Sequence, residues 1–234
     1  MNSIKLITFA GPLLFAAGLL AIAGCATNQP TLDTSADAEL SFDGLTPVKD
    51  AEADRLWVRP DFDLTGYTKL LVQPADVHYR PTRQSSGTRS NASVFSMTDA
   101  QKDRLVKIVS EEFNKALSGL QRYEIVDESG PDVLLLRGGL VDVVSRVPPQ
   151  RAGRTDFYLS SVGEATLVIE LSDSQSGAVL IRVADRRAAS RPGTSQKSNV
   201  VTNTSEVRSL ASRWANLLAK RLEHVSDVYT LSDN

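Results

Sequence analysis

The sequence predicts an α+β fold, a two-layer sandwich in which two helices pack on a mixed, mostly antiparallel sheet of about five strands. Two stretches carry a single apolar stripe at helical spacing, and a third alternates apolar and polar residues as a half-buried strand does. Because a helix buries its apolar stripe against another element, we expect both helices to cover the sheet. The expected order of elements is β-α-β-β-β-β-α.

Residues 56–58 and 67–77 are predicted to be extended segments. Residues 70–72 read Leu-Leu-Val and precede Pro74, which indicates an inner strand that ends there. Residues 80–94 are rich in Ser, Thr, Arg and Gly, and this composition predicts a long loop.

The first helix is predicted to begin just after Thr98. Thr98 and Gln101 form a Thr-x-x-Gln capping box, in which each side chain bonds the backbone N–H of the other residue. Apolar residues follow at helical spacing as far as Leu120, and Gly119 stands where a helix commonly ends.

Two further strands are predicted at residues 123–126 and 133–144. The second contains Gly138 and Gly139, which indicate either a bulge or the close approach of another backbone. The strand before the first helix and the strand after it should run parallel, because such crossovers are right-handed and return to the same sheet.

A hairpin and a second helix complete the predicted fold. Residues 164–171 alternate strictly, the Asp-Ser-Gln-Ser-Gly stretch at 173–177 turns the chain, and residues 178–184 return it. A loop over residues 190–203 then leads to a helix that is predicted to begin at Thr204 or Ser205.

The apolar stripe of this second helix includes Trp214, which we expect in the core. The later strands are expected to be antiparallel. The sequence shows neither an internal repeat nor a second apolar core, so a single domain is predicted.

The N-terminus carries the pattern of an export signal. Lys5 is followed by an apolar run over residues 6–22 and then by Ala-Gly-Cys. A membrane-spanning helix is the alternative, but it needs about 20 apolar residues, and this run is shorter and contains Pro12. Plain secretion is the other alternative. Residues 22–25, Ile-Ala-Gly-Cys, resemble the lipobox of bacterial lipoproteins.

That resemblance implies that residues 1–24 are a lipoprotein signal peptide and that Cys25 becomes the first residue of the mature chain. Cys25 would carry a thioether-linked diacylglycerol anchor and an N-acyl chain such as palmitate, which is enough for stable membrane attachment. Residues 25–50 are poor in large apolar residues and predict a lipidated flexible tether. Residues 51–234 would then form a single periplasmic α+β domain.

Composition excludes several classes of function. The chain has 26 basic and 28 acidic residues, and a net charge of −2 gives no electrostatic reason to expect nucleic acid as a partner. Cys25 is the only cysteine, so an intrachain disulfide cannot form.

The sequence contains no recognisable catalytic motif. Gly-x-Ser-x-Gly and His-Glu-x-x-His are both absent, and two histidines without a cysteine partner do not predict a metal site. We therefore expect no enzyme, no metal and no cofactor.

Arginines in two predicted loops are the candidate binding residues. Arginine presents a planar fork of donors that suits phosphate and carboxylate groups, whereas solvated loop arginines that cover sheet edges are the simpler alternative. Because few acidic residues surround them, we predict that the two groups lie near one another and bind anions; they are Arg80, Arg83 and Arg89, and Arg146, Arg151 and Arg154.

The residues at 163–167, 173–177 and 184–188, together with the lipobox, resemble a family of uncharacterised lipoproteins of Gram-negative bacteria, a domain of unknown function. The resemblance covers residues 56–225. The order of elements is also similar to small α/β domains of periplasmic assembly factors, namely the N-terminal domain of the TolB type and the curli-secretion and penicillin-binding-protein-activator lipoproteins.

This resemblance implies a periplasm-facing accessory protein. Lipoproteins held at the inner membrane commonly have aspartate just after the acylated cysteine, and Ala26 stands there, so we expect a lipid-anchored protein on the periplasmic face of the outer membrane. Its first expected partner is the membrane itself, through the acyl chains on Cys25. An envelope protein or an anionic envelope component is the second. The sequence thus predicts a binding or scaffold module of the cell envelope, and an envelope hydrolase with a scattered active site is the alternative. No oligomeric state is indicated.

Overall fold

The structure is a computed structural model and describes residues 30–60, 63–81, 94–149, 156–190, 193 and 195–224. The fold class is α+β, as predicted. The elements in chain order are β1 (Thr31–Leu32), β2 (Thr46–Lys49), β3 (Arg55–Val58), β4 (Lys69–Val72), β5 (Asp76–Tyr79), α1 (Asp99–Leu117), β6 (Glu124–Val126), β7 (Val133–Ser145), β8 (Tyr158–Leu159), β9 (Gly163–Asp173), β10 (Val179–Ala189), β11 (Gln196–Lys197) and α2 (Val200–Glu223).

The main sheet is larger than the predicted five strands. Within the described residues it has nine strands. Eight of them follow the order β1-β2-β3-β10-β9-β7-β4-β6, and the ninth, β5, lies off this path and pairs with β7. The extra strands are short pieces at the edges, whose two to four residues are too few to show a periodic pattern. A separate two-stranded sheet joins β8 and β11.

The strand directions match the prediction. β4 is parallel to both β6 and β7, as expected for strands that are connected through α1. β7, β9 and β10 are antiparallel neighbours, which confirms the predicted hairpin.

Both helices begin with a capping box, but the sequence predicts the correct start only for the first helix. In α1 the Thr98 side chain accepts from the Gln101 N–H, as predicted. α2 begins at Val200, several residues before the predicted start, because Asn199 is its N-cap and Thr202 completes the box. The Asn199 side chain accepts from the N–H groups of Val201 and Thr202 at 2.9 and 3.0 Å, which satisfies donors that a helix start otherwise leaves unpaired.

The two helices lie side by side on one face of the sheet, with their N-termini at the same end. Near their middles, Arg208 of α2 forms ion pairs with Glu111 and Glu112 of α1. At their C-terminal ends, the Gln121 N–H donates to the Glu223 carboxylate. The core lies between the helices and the sheet, where alternate β9 residues meet both helices; its central members are Ala165, Leu167, Ile169, Leu171, Ile108, Leu210 and Trp214.

The prediction that residues 25–50 form a flexible tether is wrong for residues 31–49. β1 pairs with β2, β2 pairs with β3, and Leu45 is completely buried. Arg182 of β10 holds Asp43 through two hydrogen bonds of 2.9 and 2.8 Å, and these bonds lower the pKa of Asp43 to about 2. Backbone pairing and a distant arginine order this segment, and neither contribution is visible in its polar composition.

The bulge in β7 is not at the two glycines. The register between β7 and β9 shifts between Val141 and Val144, and Asp142 there has a φ of 58°. Asp is one of the few residues that tolerates this left-handed conformation. The alternative reading of the glycines is confirmed, because a Cβ on Gly139 would lie 3.0 Å from the carbonyl oxygen of Asp76 in β5.

Replacing Gly163 by alanine should destabilise the centre of the sheet. A Cβ at this position would overlap the backbone carbonyl oxygen of Val144 in the neighbouring strand, and neither strand can move without disturbing the core. We expect Gly163→Ala to lower the free energy of unfolding by about 2–3 kcal/mol in chemical denaturation. Gly66→Ala is the matched control, because a Cβ there meets nothing within 4 Å. Equal stability of the two variants would contradict the strand packing described above.

Candidate functional site

A cavity of about 840 Å³ lies between the helices and one end of the sheet, and we call it the interhelical cavity. Its walls come from the N-terminal half of α1, the N-terminal half of α2 and the ends of β7, β9 and β10 at Ser145, Gly163 and Ala189. The first turns of both helices border the cavity, because α1 and α2 start at the same end of the sheet.

The wall of the cavity is mainly apolar and its mouth is polar. The apolar wall consists of Met97, Leu105, Ile108, Val109, Leu140, Val143, Val147, Val207, Leu210 and Trp214. The mouth carries Thr98, Gln101, Asn199 and Asn203. The side chains of Thr98 and Asn199 accept hydrogen bonds from the first turns of their own helices. Their place at the mouth is therefore compatible with their role as helix caps.

Three charged residues border the cavity. Asp156 forms an ion pair with Lys197 at 2.8 Å, and Glu164 pairs with arginines on the other side of the sheet. Arg104 of α1 is exposed and has no carboxylate partner among the residues that the structure describes. The mouth therefore offers one cation that is available to an anionic group.

Trp214 forms part of the cavity wall, and its indole N–H is hydrogen-bonded to a buried carboxylate. Its indole N–H donates to Asp185 at 2.6 Å, and Asp185 is 4% exposed. Arg187 also donates to Asp185 at 2.6 Å and balances its charge. The prediction that Trp214 lies in the core is confirmed, since the residue is 3% exposed.

Two of the six predicted arginines meet on the opposite face of the sheet. Arg146 lies 3.4 Å and Arg80 lies 3.9 Å from the same oxygen of Glu164. Arg186 lies 2.7 Å from that oxygen and 3.2 Å from Asp142, with which Arg80 also forms an ion pair. We call these five side chains the arginine cluster.

The arginine cluster is largely neutralised from within. Hydrogen bonds from Arg80 are the main reason that the pKa of Asp142 lies below its usual value. Burial acts to raise the pKa of Glu164, but hydrogen bonds and charges from Arg186 and Arg146 outweigh it and the pKa is lowered. Three arginines against two carboxylates leave one excess positive charge. The cluster thus holds the bulged Asp142 in place.

The other four predicted arginines, Arg83, Arg89, Arg151 and Arg154, lie outside the described residues. Anion binding by the two loops therefore stays a prediction. Cys25 and the signal peptide also lie outside the described residues.

Sequence reasoning missed the interhelical cavity and both carboxylates of the arginine cluster. Asp142 did leave a signal, since it is a lone acidic residue inside a long apolar strand. The cavity left none, because its wall residues are the same apolar residues that line any core.

Over the described part of the chain, no group of three or more His, Cys, Asp and Glu side chains is arranged to hold a metal ion. No helix there is long and apolar enough to cross a bilayer.

His224, one of the two histidines, is the C-cap of α2, and its Nδ1 lies 2.9 Å from the Lys220 carbonyl oxygen.

Several solved structures are similar to this chain at low sequence identity. The PelC dodecamer from Paraburkholderia phytofirmans is 13% identical over 69% of this chain and 96% of that chain, with a TM-score of 0.34. A DUF330 protein from Xanthomonas campestris is 14% identical over 73% and 92%, with a TM-score of 0.38. The minor lipoprotein from Acinetobacter baumannii is 11% identical over 68% and 95%, with a TM-score of 0.31.

None of the curated proteins matches the chain. The family described as "Protein of unknown function (DUF3313)" matches residues 35–218. This range begins within the segment that forms β1 and β2 and ends near the end of α2, and it includes the stretches at 163–167, 173–177 and 184–188 that resemble an uncharacterised family. The chain therefore belongs to the DUF3313 family.

Proposed function

We propose that this protein is a lipid-anchored binding module of the bacterial cell envelope that takes the apolar part of an amphipathic ligand into the interhelical cavity. Cys25 would hold it at the outer membrane with the folded domain facing the periplasm. The size and apolar wall of the cavity are the observation that carries the proposal.

The cavity has the properties of a small-molecule site. Its volume of about 840 Å³ falls within the range of about 300–1,000 Å³ that ligand pockets occupy. The wall is apolar and the mouth carries a few polar groups and one cation, Arg104. A single acyl chain with an anionic head, such as a fatty acid, matches this arrangement, because its chain would be buried while its carboxylate faces Arg104.

The charged groups around the cavity support binding more than catalysis. Asp156 forms an ion pair with Lys197, and Glu164 forms ion pairs with Arg146 and Arg186. Burial acts to raise the pKa of Glu164, but hydrogen bonds and charges from Arg186 and Arg146 outweigh it and lower this pKa, whereas a general acid or base at neutral pH needs a raised one. We therefore propose a non-catalytic role.

The proposed location follows from the N-terminus. The residue after the acylated cysteine commonly decides sorting of bacterial lipoproteins, and aspartate there favours retention at the inner membrane. Ala26 occupies that place, which supports the outer membrane.

Photocrosslinking of the full lipidated protein in membrane vesicles tests the ligand. A fatty acid that carries a photoactivatable group in its chain should label peptides of α1 and α2 that line the cavity, which mass spectrometry distinguishes from acylation at Cys25. Val207→Phe should reduce this labelling about tenfold, because a phenylalanine ring displaces about two methylenes of the chain at about 0.8 kcal/mol of binding each. Val207 belongs to the wall.

Val106→Phe is the matched control. Val106 lies in α1, which belongs to the same layer of helices as α2, but it is 39% exposed and does not line the cavity. Its labelling should equal that of the unmodified protein. Labelling that Val207→Phe leaves unchanged, or that spreads over the outer surface of the helices, would show that the cavity does not hold the chain.

A further inference from the structure

The order in residues 31–49 shortens the connection between the folded domain and its proposed anchor. Only residues 26–30 separate Cys25 from β1, and six residue steps of at most about 3.6 Å span roughly 20 Å. The edge of the sheet at β1 is therefore held close to any membrane into which the acyl chains of Cys25 insert. This step rests on the lipid anchor of the proposed function.

The loop between β1 and β2 exposes two large apolar side chains near that attachment point. Leu40 is 59% and Phe42 is 94% exposed. Thr31 pairs with Lys49 at the start of this segment, and the Ser41 N–H donates to the Leu45 carbonyl oxygen at 3.0 Å. The four residue steps from Lys49 to Leu45 span about 13 Å at about 3.3 Å each, so Phe42 lies roughly 15–20 Å from Thr31, where the folded domain begins.

The loop is held in a defined position by Arg182. The guanidinium carbon of Arg182 lies 4.8 Å from the centre of the Phe42 ring, and the same side chain binds Asp43 and, at 2.7 Å, Glu170. Arg182 is paired in register with Glu170, and both lie on the face of the sheet opposite the helices. Phe42 is thus presented on the helix-free face, away from the interhelical cavity.

We propose that Leu40 and Phe42 insert into the phospholipid surface beside the anchor, so that the helix-free face lies toward the membrane and the interhelical cavity opens away from it. Phe42 stands almost fully in water in the free chain, so transfer to the lipid interface removes apolar surface from water. The anchor makes this contact intramolecular, which allows a weak contact to be populated.

The charge of the loop selects the lipid. Asp37 and Glu39 are exposed beside the two apolar side chains, and they are repelled by anionic headgroups. The loop itself therefore favours zwitterionic over anionic phospholipid, and its contact with the lipid is made by the two apolar side chains.

Depth-dependent fluorescence quenching tests the orientation in the full lipidated chain. Because Cys25 is the only cysteine and the proposed thioether to diacylglycerol would block its thiol, a Glu39→Cys variant has one free thiol for a fluorescent label. In phosphatidylethanolamine-rich vesicles that contain a nitroxide lipid, this label should lose most of its fluorescence. A label at Ile125→Cys should not, since Ile125 lies in β6 at the opposite edge of the sheet and is 46% exposed.

Adding Leu40→Ser and Phe42→Ser to the Glu39→Cys variant should abolish the quenching at position 39 while vesicle flotation is unchanged. Equal quenching at positions 39 and 125, or quenching that survives the double serine change, would overturn the docking proposal and leave the anchor intact. Protein that does not float with the vesicles would overturn the anchor, and with it the docking. Self-quenching of the label at position 39 without nitroxide quenching would assign the patch to a second copy of the chain and overturn the lipid contact.

Discussion

Replacing Trp214 by alanine should lower the free energy of unfolding by about 3–5 kcal/mol, the cost of removing a large buried aromatic side chain. Trp214 is 3% exposed and packs between α2 and the sheet. The substitution removes the packed ring and also the indole donor of Asp185, a carboxylate that is 4% exposed. A buried carboxylate that loses a donor is poorly solvated, which adds to the cost of the cavity.

Chemical denaturation of the full chain measures this loss, and Trp214→Phe separates its two contributions. Phenylalanine keeps most of the apolar volume but cannot donate to Asp185, so it should cost about 1.5–3 kcal/mol, the usual value of a hydrogen bond to a charged group. If Trp214→Phe is as stable as the unmodified protein, the bond to Asp185 contributes nothing. If Trp214→Ala costs less than Trp214→Phe, the ring does not support the core.

Replacing Cys25 by serine should abolish lipidation and processing together. In proteins with a lipobox the signal peptidase cuts only after the cysteine has been diacylated, so a Cys25→Ser chain should keep residues 1–24. We expect a precursor of higher apparent mass that takes up no labelled palmitate. Two or more acyl chains give stable membrane attachment, and the variant loses all of them.

Metabolic labelling with palmitate and gel mobility measure this result. Thr27→Ser is the matched control, because it introduces the same residue two positions later and leaves the cysteine in place. A Cys25→Ser protein of mature size, or one that still incorporates the label, would show that Cys25 is not the anchor and that residues 22–25 do not act as a lipobox.

Local sequence signals were sufficient for the first helix and the central hairpin, whose structures neighbouring residues decide. The capping box of Thr98 and Gln101 placed the start of α1, because both of its bonds form within one turn. Strict alternation placed the hairpin of β9 and β10, because one of its faces is buried and the other is not. The same approach missed the start of α2, where the cap is an asparagine inside a polar stretch.

The ordered N-terminal segment could not be predicted from its own residues. Its position depends on Arg182, which is 139 residues from Asp43 in sequence, and on a sheet edge that β3 supplies. Composition describes what a segment can bury by itself, and this segment buries little apart from Leu45. The number of strands was underestimated for the same reason.

The sequence by itself determined the fold class, the first helix and the central hairpin, because each of these depends on residues that are close together in the chain. Only the tertiary structure decided the interhelical cavity, the pairing of Arg80 and Arg146 through Glu164, and the position of Phe42 on the helix-free face of the sheet. Each of these depends on contacts between elements far apart in sequence, whose geometry is set by strand order, register and the bulge at Asp142. Spacing along one segment carries no information about such contacts, since they arise when the layers pack.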